Sequence, residues 1–285
     1  MRLKILFILG LIFILSACKK EDNITSPTAV QELIPLAIGN YWIYNGVTLD
    51  VNGNETGTSW RDSSVVTGQK IVAGKQAYEI SEYVGSSLTG LWYVSKDGGK
   101  YYIYFPSVGA PFDSLSGRWI LWVDPASPNW TILNQQIKIN IDTANGLTAS
   151  GTLSVVANRG AGESITIKNQ TVQAQRYDWD INFNGKIDQI PGSSLTISGK
   201  IRWYFTSGIG MVKNQIDPLT TRLIVPLLAD TTFKSEGQKI TLIDYKLNPS
   251  QTAKLAQTFN SNQQINQHFL FRCFIPQIPF EGIKR

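Results

Sequence analysis

The 285-residue sequence has one histidine, His268, and two cysteines, Cys18 and Cys273. A single imidazole close to the C-terminus excludes a His-rich zinc site and a Ser-His-Asp triad within the body of the chain. Cys273 lies five residues after His268, the separation of a Cys–His pair. Its surroundings are Phe269-Leu270-Phe271-Arg272-Cys273-Phe274, an apolar terminal run with a passenger Cys rather than the electropositive setting that activates a thiolate. Basic residues form no block or stripe, so the electrostatic footprint of a nucleic-acid binder is missing. There is no G-x-S-x-G elbow, phosphate loop or dinucleotide fingerprint. No long segment repeats its apolar residues at the 3.6-residue helical period. These absences make an enzyme the less favoured class and a helical fold an unfavoured one.

The one long apolar run is at the start. Residues 1–17 read MRLKILFILGLIFILSA, with Arg2 and Lys4 ahead of an apolar stretch from Ile5 to Leu15. As a helix that stretch is about 16 Å long, half of a bilayer core, which suits a cleavable signal and not a span. Leu15-Ser16-Ala17-Cys18 follows and resembles the lipobox of bacterial lipoproteins. The resemblance implies cleavage before Cys18, a lipid on its sulfur and anchoring of the mature chain to a membrane. Lys19 follows Cys18 where inner-membrane lipoproteins carry Asp, which favours the outer membrane of a Gram-negative cell. Lys20-Glu21-Asp22 resembles a surface-export signal, so the surface is preferred over the periplasmic face; a solvated tether over residues 18–30 is the alternative. Lipidation consumes Cys18 and leaves Cys273 alone, so no intramolecular disulfide forms and stability comes from packing.

Arg2 and Lys4 leave with the signal, and 24 basic residues then stand against 21 acidic ones. Hydrophobic residues make up 42% of the chain and aromatic ones 11%, enough for a sizeable core in residues 31–247. Short β-type runs fill that region, broken by Gly, Asn, Asp and Ser. Tyr41-Trp42-Ile43-Tyr44 stops at Asn45-Gly46, Tyr78–Val84 alternates with period two, and Asp97-Gly98-Gly99 turns into Tyr101–Phe105. The expected fold is all-β and mostly antiparallel, as a single curved sheet (a half-barrel) or a β-sandwich built from hairpins. Ser64-Val65-Val66 recurs as Ser154-Val155-Val156, and Trp92-Tyr93-Val94-Ser95 as Trp203-Tyr204-Phe205-Thr206. Two readings stand: related half-sheets, or the shared grammar of hairpins. Residues 248–285 are Gln- and Asn-rich and then apolar, a C-terminal tail whose structure the pattern leaves open.

Two motifs bracket the β region. Pro35-Leu36-Ala37-Ile38-Gly39-Asn40-Tyr41-Trp42-Ile43-Tyr44 resembles the opening motif of a group of bacterial outer-membrane lipoproteins. Trp203-Tyr204-Phe205-Thr206-Ser207-Gly208-Ile209-Gly210-Met211-Val212-Lys213 resembles their closing motif. The resemblance implies an envelope address and transfers no activity. Gly39, Gly208 and Gly210 suit tight bends.

Three constellations remain as candidate sites. Asp180, Asn182, Asn184 and Asp188 match D-x-N-x-N-G-x-x-D, which resembles a calcium loop, although Pro191 replaces its final acid. The same residues read as a strand, with Tyr177, Trp179, Ile181 and Phe183 on one face, ending in a type I′ turn at Asn184-Gly185; the hairpin is preferred, with weak calcium binding compatible. Trp119, Trp122 and Trp130 form the densest aromatic stretch, suited to core packing or to a lipid or glycan cavity. Trp119 and Trp122 fall on opposite faces of a strand. Asp113, Asp124, Asp178 and Glu163 are the acids from which a glycosidase pair would be drawn. The leading expectation is a non-catalytic, lipid-anchored β domain with no cofactor other than calcium, binding a lipid, a glycan or an envelope partner. A carbohydrate-active enzyme and a structural envelope protein are the alternatives.

Overall fold

The computed structural model describes residues 32–105, 117–142 and 146–248. The signal segment, Cys18, the tether, Asp113, and the tail from 249 with His268 and Cys273 lie outside these residues. The described chain forms fifteen strands. They are β1 (Tyr41–Leu49), β2 (Glu55–Val72), β3 (Lys75–Val84), β4 (Ser87–Asp97), β5 (Lys100–Phe105), β6 (Arg118–Val123), β7 (Asn129–Asp142) and β8 (Leu147–Arg159). Then follow β9 (Glu163–Ile167), β10 (Gln170–Ile187), β11 (Ser194–Thr206), β12 (Gly210–Ile216), β13 (Thr220–Ile224), β14 (Thr231–Lys234) and β15 (Gly237–Lys246). All belong to one sheet.

Across that sheet the order is β6-β5-β4-β3-β2-β1-β15-β12-β11-β10-β8-β7, with β9 paired to β10 and the β13–β14 hairpin hung from β11. Neighbours therefore follow chain order, and the first and last strands pair antiparallel along the whole of β1. The result is an up-and-down barrel that is almost closed. The single-sheet form of the expected all-β fold is the one adopted, and it curls beyond a half-barrel. Its two edges, β6 and β7, are consecutive in the chain, and no ladder joins them among the described residues. Side chains bridge this seam: the Trp130 indole N–H donates to the Leu121 carbonyl at 3.1 Å, and Arg118 donates to Gln135 Oε1 at 2.9 Å.

Alternation accounts for the core. Tyr177, Trp179, Ile181 and Phe183 of β10 are buried together on the inner face. Trp122 of β6 meets Trp203 and Phe205 of β11 edge to face at 5.3 and 5.2 Å, and Trp92 of β4 at 5.4 Å. Rings from opposite walls thus touch, so the barrel is flattened and filled. Burying a ring of this size stabilises by roughly 3 kcal/mol or more, with edge-to-face contact adding about 1.

The two bracketing motifs pack against each other. Leu33, Ile34 and Leu36 enter the core at the end of the barrel where β1 starts, and the Ile34 N–H donates to the Tyr101 hydroxyl at 3.2 Å. The Trp42 indole donates to the Ile209 carbonyl at 2.6 Å, the Tyr44 hydroxyl to the Met211 carbonyl at 3.2 Å, and the Gly208 N–H to the Glu32 carbonyl at 2.7 Å. Gly39, Gly208 and Gly210 all have left-handed φ, of 86°, 77° and 100°. A Cβ at Gly210 would meet Trp42 and Pro35 at ordinary contact distance, so its φ and not its space is what calls for glycine. Both motifs close one end of the barrel.

One expectation is corrected and one open alternative is decided. Neither Asn45-Gly46 nor Asn184-Gly185 is a turn: β1 runs on to Leu49 and β10 to Ile187, with both glycines in register with both neighbours. A type I′ turn needs left-handed φ, and these four residues have none. The glycines instead leave room for rings. A Cβ on Gly185 would lie 2.6 Å from the Phe183 ring, and one on Gly46 would overlap the Trp60 indole. The β10–β11 reversal comes at residues 188–193, tied by the Ser193 hydroxyl donating to the Ile190 carbonyl at 2.7 Å. The open alternative concerns the recurring tripeptides. They fall on second strands of the two six-strand halves, β2 and β8, but Val66 is buried whereas Val156 faces outward. A one-residue slip inverts every side chain, so hairpin grammar explains this match and a register-preserving duplication does not.

Candidate functional site

The three singled-out tryptophans occupy three environments. Trp122 is in the core, 2% exposed. Trp119 is on the outer face, where it packs on Tyr104 at 5.3 Å and donates to the Val72 carbonyl at 3.1 Å. That bond carries the tip of the β2–β3 hairpin across the outside of β4–β6, with Lys70 over Tyr93 at 4.5 Å and Lys75 over Tyr102 at 4.4 Å. Trp130 clasps the seam. No common surface joins the three.

Asp180, Asn182 and Asn184 are on one straight strand, where alternate residues stand about 7 Å apart, so their oxygens do not converge as in a calcium loop. Asp180 pairs with Lys200 at 2.9 Å and accepts from Asn158 at 3.0 Å. Asp188 accepts from Thr148 and Ser150 at 2.7 and 3.0 Å and pairs with Lys138 at 3.3 Å. The two hydroxyls, helped by Lys138, hold its carboxyl below the usual range. Among the described residues, no group of three or more His, Cys, Asp or Glu side chains is assembled for a metal ion.

The described acids of the glycosidase reading each face a base. Asp124 pairs with Lys100 at 3.0 Å, Asp178 with Arg176 at 3.1 Å and Glu163 with Lys213 at 2.7 Å. Sequence reasoning passed over a different pair. Asp62 on β2 and Glu82 on β3 are 6% and 5% exposed, on diagonal positions of the β2–β3 ladder, inside the barrel. Asp62 accepts from the Trp60 indole at 2.6 Å. Glu82 lies against Gly90, where a Cβ would come within 2.8 Å of its carboxylate, and among the described residues no cation pairs with it. Burial first, and then the Asp62 charge, push the Glu82 carboxyl well above the usual range; the nearby Trp92 indole acts the other way without reaching hydrogen-bond geometry. The same burial, helped by Glu82, raises the Tyr44 phenol. The signal was present: the alternation that carries Ile80 inward carries Glu82 with it.

A cavity of about 20 Å³ lies among Trp42, Tyr44, Trp92, Trp122 and Met211, room for about one water. A larger opening, about 410 Å³, is on the outside where β11 and β12 meet the β13–β14 hairpin. Its floor holds Arg202, Gln215 and Asp217, and its walls Asn52 on one side and Lys234 on the other. Arg202 and the Gln215 amide both donate to Asp217 Oδ1, the amide at 3.0 Å.

No protein-family model matches the chain, and neither does any curated protein. Two solved structures do resemble it. One, a "putative lipoprotein" of Parabacteroides distasonis, is 14% identical, with a TM-score of 0.42 over 76% of this chain and 99% of its own. The other, an exported protein of Bacteroides fragilis with a YmcC-like fold, is 12% identical, with a TM-score of 0.41 over 76% of this chain and all of its own.

Proposed function

We propose that this chain is a lipid-anchored lipoprotein of the Gram-negative outer membrane, displayed on the surface, whose barrel binds an envelope ligand without catalysing a reaction. The address rests on residues 1–18, where a short apolar run ends in Leu-Ser-Ala-Cys. Ion pairs across the outer face of β10–β12 suit a barrel that stands in water, since a membrane barrel reverses this pattern. The observation that carries the binding reading is the external cleft, which is within the range of about 300–1,000 Å³ typical of ligand sites, whereas the interior cavity among Trp42, Tyr44, Trp92, Trp122 and Met211 is about 20 Å³.

The test is native mass spectrometry of the full-length protein, extracted from its own membrane in detergent, with and without a chelator. A bound species beyond the lipid on Cys18 supports the binding reading. Bare protein in both preparations counts against it and favours the structural alternative. A calcium-sized shift lost on chelation would return Asp180 and its neighbours to consideration. Replacing Cys18 by Ala is expected to abolish acyl incorporation; retention of the lipid would defeat the anchoring assignment.

A further inference from the structure

Resting on that binding reading, we infer that the external cleft takes an anionic, hydroxylated ligand of mono- or disaccharide size, with Lys234 and Arg202 receiving its acid group. The charge comes first. Arg202 and Lys234 line the cleft against one acid, Asp217. Asp217 is already engaged by Arg202 and Gln215, which leaves most of the five guanidinium donors unassigned. Lys234 is exposed and, among the described residues, makes no ion pair or hydrogen bond. It shares this with Arg61, Lys186 and Lys246, while twelve ion pairs engage other described basic side chains; of these four, Lys234 is the one that lines the cleft.

The walls are held rigidly. Asp50 Oδ1 accepts the N–H groups of Asn52 and Asn54, both at 2.8 Å, and Gly53 supplies the left-handed φ of 86°. Those backbone donors keep the Asp50 carboxyl below the usual range, with Asn54 the largest contributor. The opposite wall is locked by Leu219 N–H donating to Ser235 Oγ at 3.1 Å and Ser235 N–H to the Leu219 carbonyl at 3.0 Å. A site whose donors are fixed beforehand loses less entropy on binding.

The lining also selects what is attached to the anion. No aromatic ring is among the described residues that line the cleft, which disfavours a ligand recognised by stacking. Asn52, Gln215 and Thr220 instead present amide and hydroxyl groups to hydroxyls. A carboxylate and a phosphate satisfy Arg202 and Lys234 alike.

The experiment is calorimetric titration of the full-length protein in detergent with glucuronate, glucose 6-phosphate, glucose and inorganic phosphate. Either acidic sugar is expected to bind at least about tenfold more tightly than glucose or inorganic phosphate, and Lys234→Gln to lose about tenfold of that affinity. Lys234→Arg is expected to keep it, and the unchanged melting temperature of both variants shows that they fold. Glucuronate alone bound identifies a carboxylate ligand, and glucose 6-phosphate alone a phosphate one. Equal binding of glucose or of inorganic phosphate, no binding of either acidic sugar, or full affinity in Lys234→Gln overturns the assignment. A natural ligand still carried by Lys234→Gln in native mass spectrometry defeats the cleft while leaving the binding reading intact. Loss of ligand from every preparation, wild type included, defeats that reading itself.

Discussion

Strands β1–β6 and strands β7–β15 make the two walls of one barrel; both carry ion pairs on the outside, and they differ in what they place inside. The first wall places Asp62, Ser64 and Glu82 inside, and Tyr93, Tyr102, Tyr104 and Trp119 outside beneath Lys70 and Lys75. The second fills its inside with Tyr177, Trp179, Phe183, Trp203 and Phe205 and lays ion pairs over its outside, including Lys200 with Asp180 and Arg202 with Asp217. Acids facing water find lysines and arginines at little desolvation cost, whereas an inward acid is cut off from both. Rings of the second wall, reached through Trp122, supply packing to a first wall whose inner face is partly polar.

The largest expected effect follows from that bridge. Trp122→Ala removes a ring that touches both walls and should cost about 3–5 kcal/mol of unfolding free energy in urea titration. Trp119→Ala, on the outer face, should cost clearly less, and equal losses would contradict the division into an inner core and an outer stripe. Next are the two mid-strand glycines, one in each wall. Gly46→Val and Gly185→Val each drive a side chain into a ring and should cost about 1–3 kcal/mol. An undisturbed Tm in either would restore the turn reading there.

Glu82 gives the sharpest contrast in pH dependence. Its folded-state carboxyl titrates above the unfolded one, so the folded protein binds the extra proton between those two values. Its contribution is fully present below the ordinary glutamate range and is lost as pH rises towards the raised folded value. Glu82→Gln should therefore stabilise the barrel at alkaline pH by about 1–3 kcal/mol and flatten the fall in Tm with pH. Asp180→Asn, in the outer ion pairs, should change stability by about 1 kcal/mol or less. Melting curves of both variants from acid to alkaline pH decide this, and a Glu82→Gln protein that tracks wild type throughout would remove Glu82 as the cause. At the seam, Trp130→Phe deletes the bond to Leu121 together with part of a buried indole, and a loss of about 1–3 kcal/mol, above that of Asp180→Asn, is expected in the same assay.

Local patterns carried the strands well. Tyr177, Trp179, Ile181 and Phe183 were assignable to one buried face, and the opposed faces of Trp119 and Trp122 followed from period two alone. Genuine turns were also readable where left-handed φ was needed, as at Gly98 and Gly99 with 55° and 82°. Asn45-Gly46 and Asn184-Gly185 were misread for one shared reason. The dipeptide reports what the backbone permits, and the ring that occupies the space above the glycine decides what it does. Trp60 comes from the next strand, so no window on Gly46 reveals it.

The candidate cleft was out of reach for a related reason. Asn52, Arg202 and Lys234 are distant along the chain, and only the pairing of β1 with β15 and of β15 with β12 brings their loops to one place.

What the sequence determined by itself was the all-β class, the alternation of inner and outer faces, and a supply of one histidine and two cysteines. Each depends on residues close together in the chain or on a count over all of it. Only the tertiary structure decided that the sheet curls until β6 meets β7, that the tryptophans divide among core, seam and outer face, and that Glu82 is left inside with no cation paired to it among the described residues. These depend on which strands become neighbours, and that choice is made by burial of the whole apolar face at once.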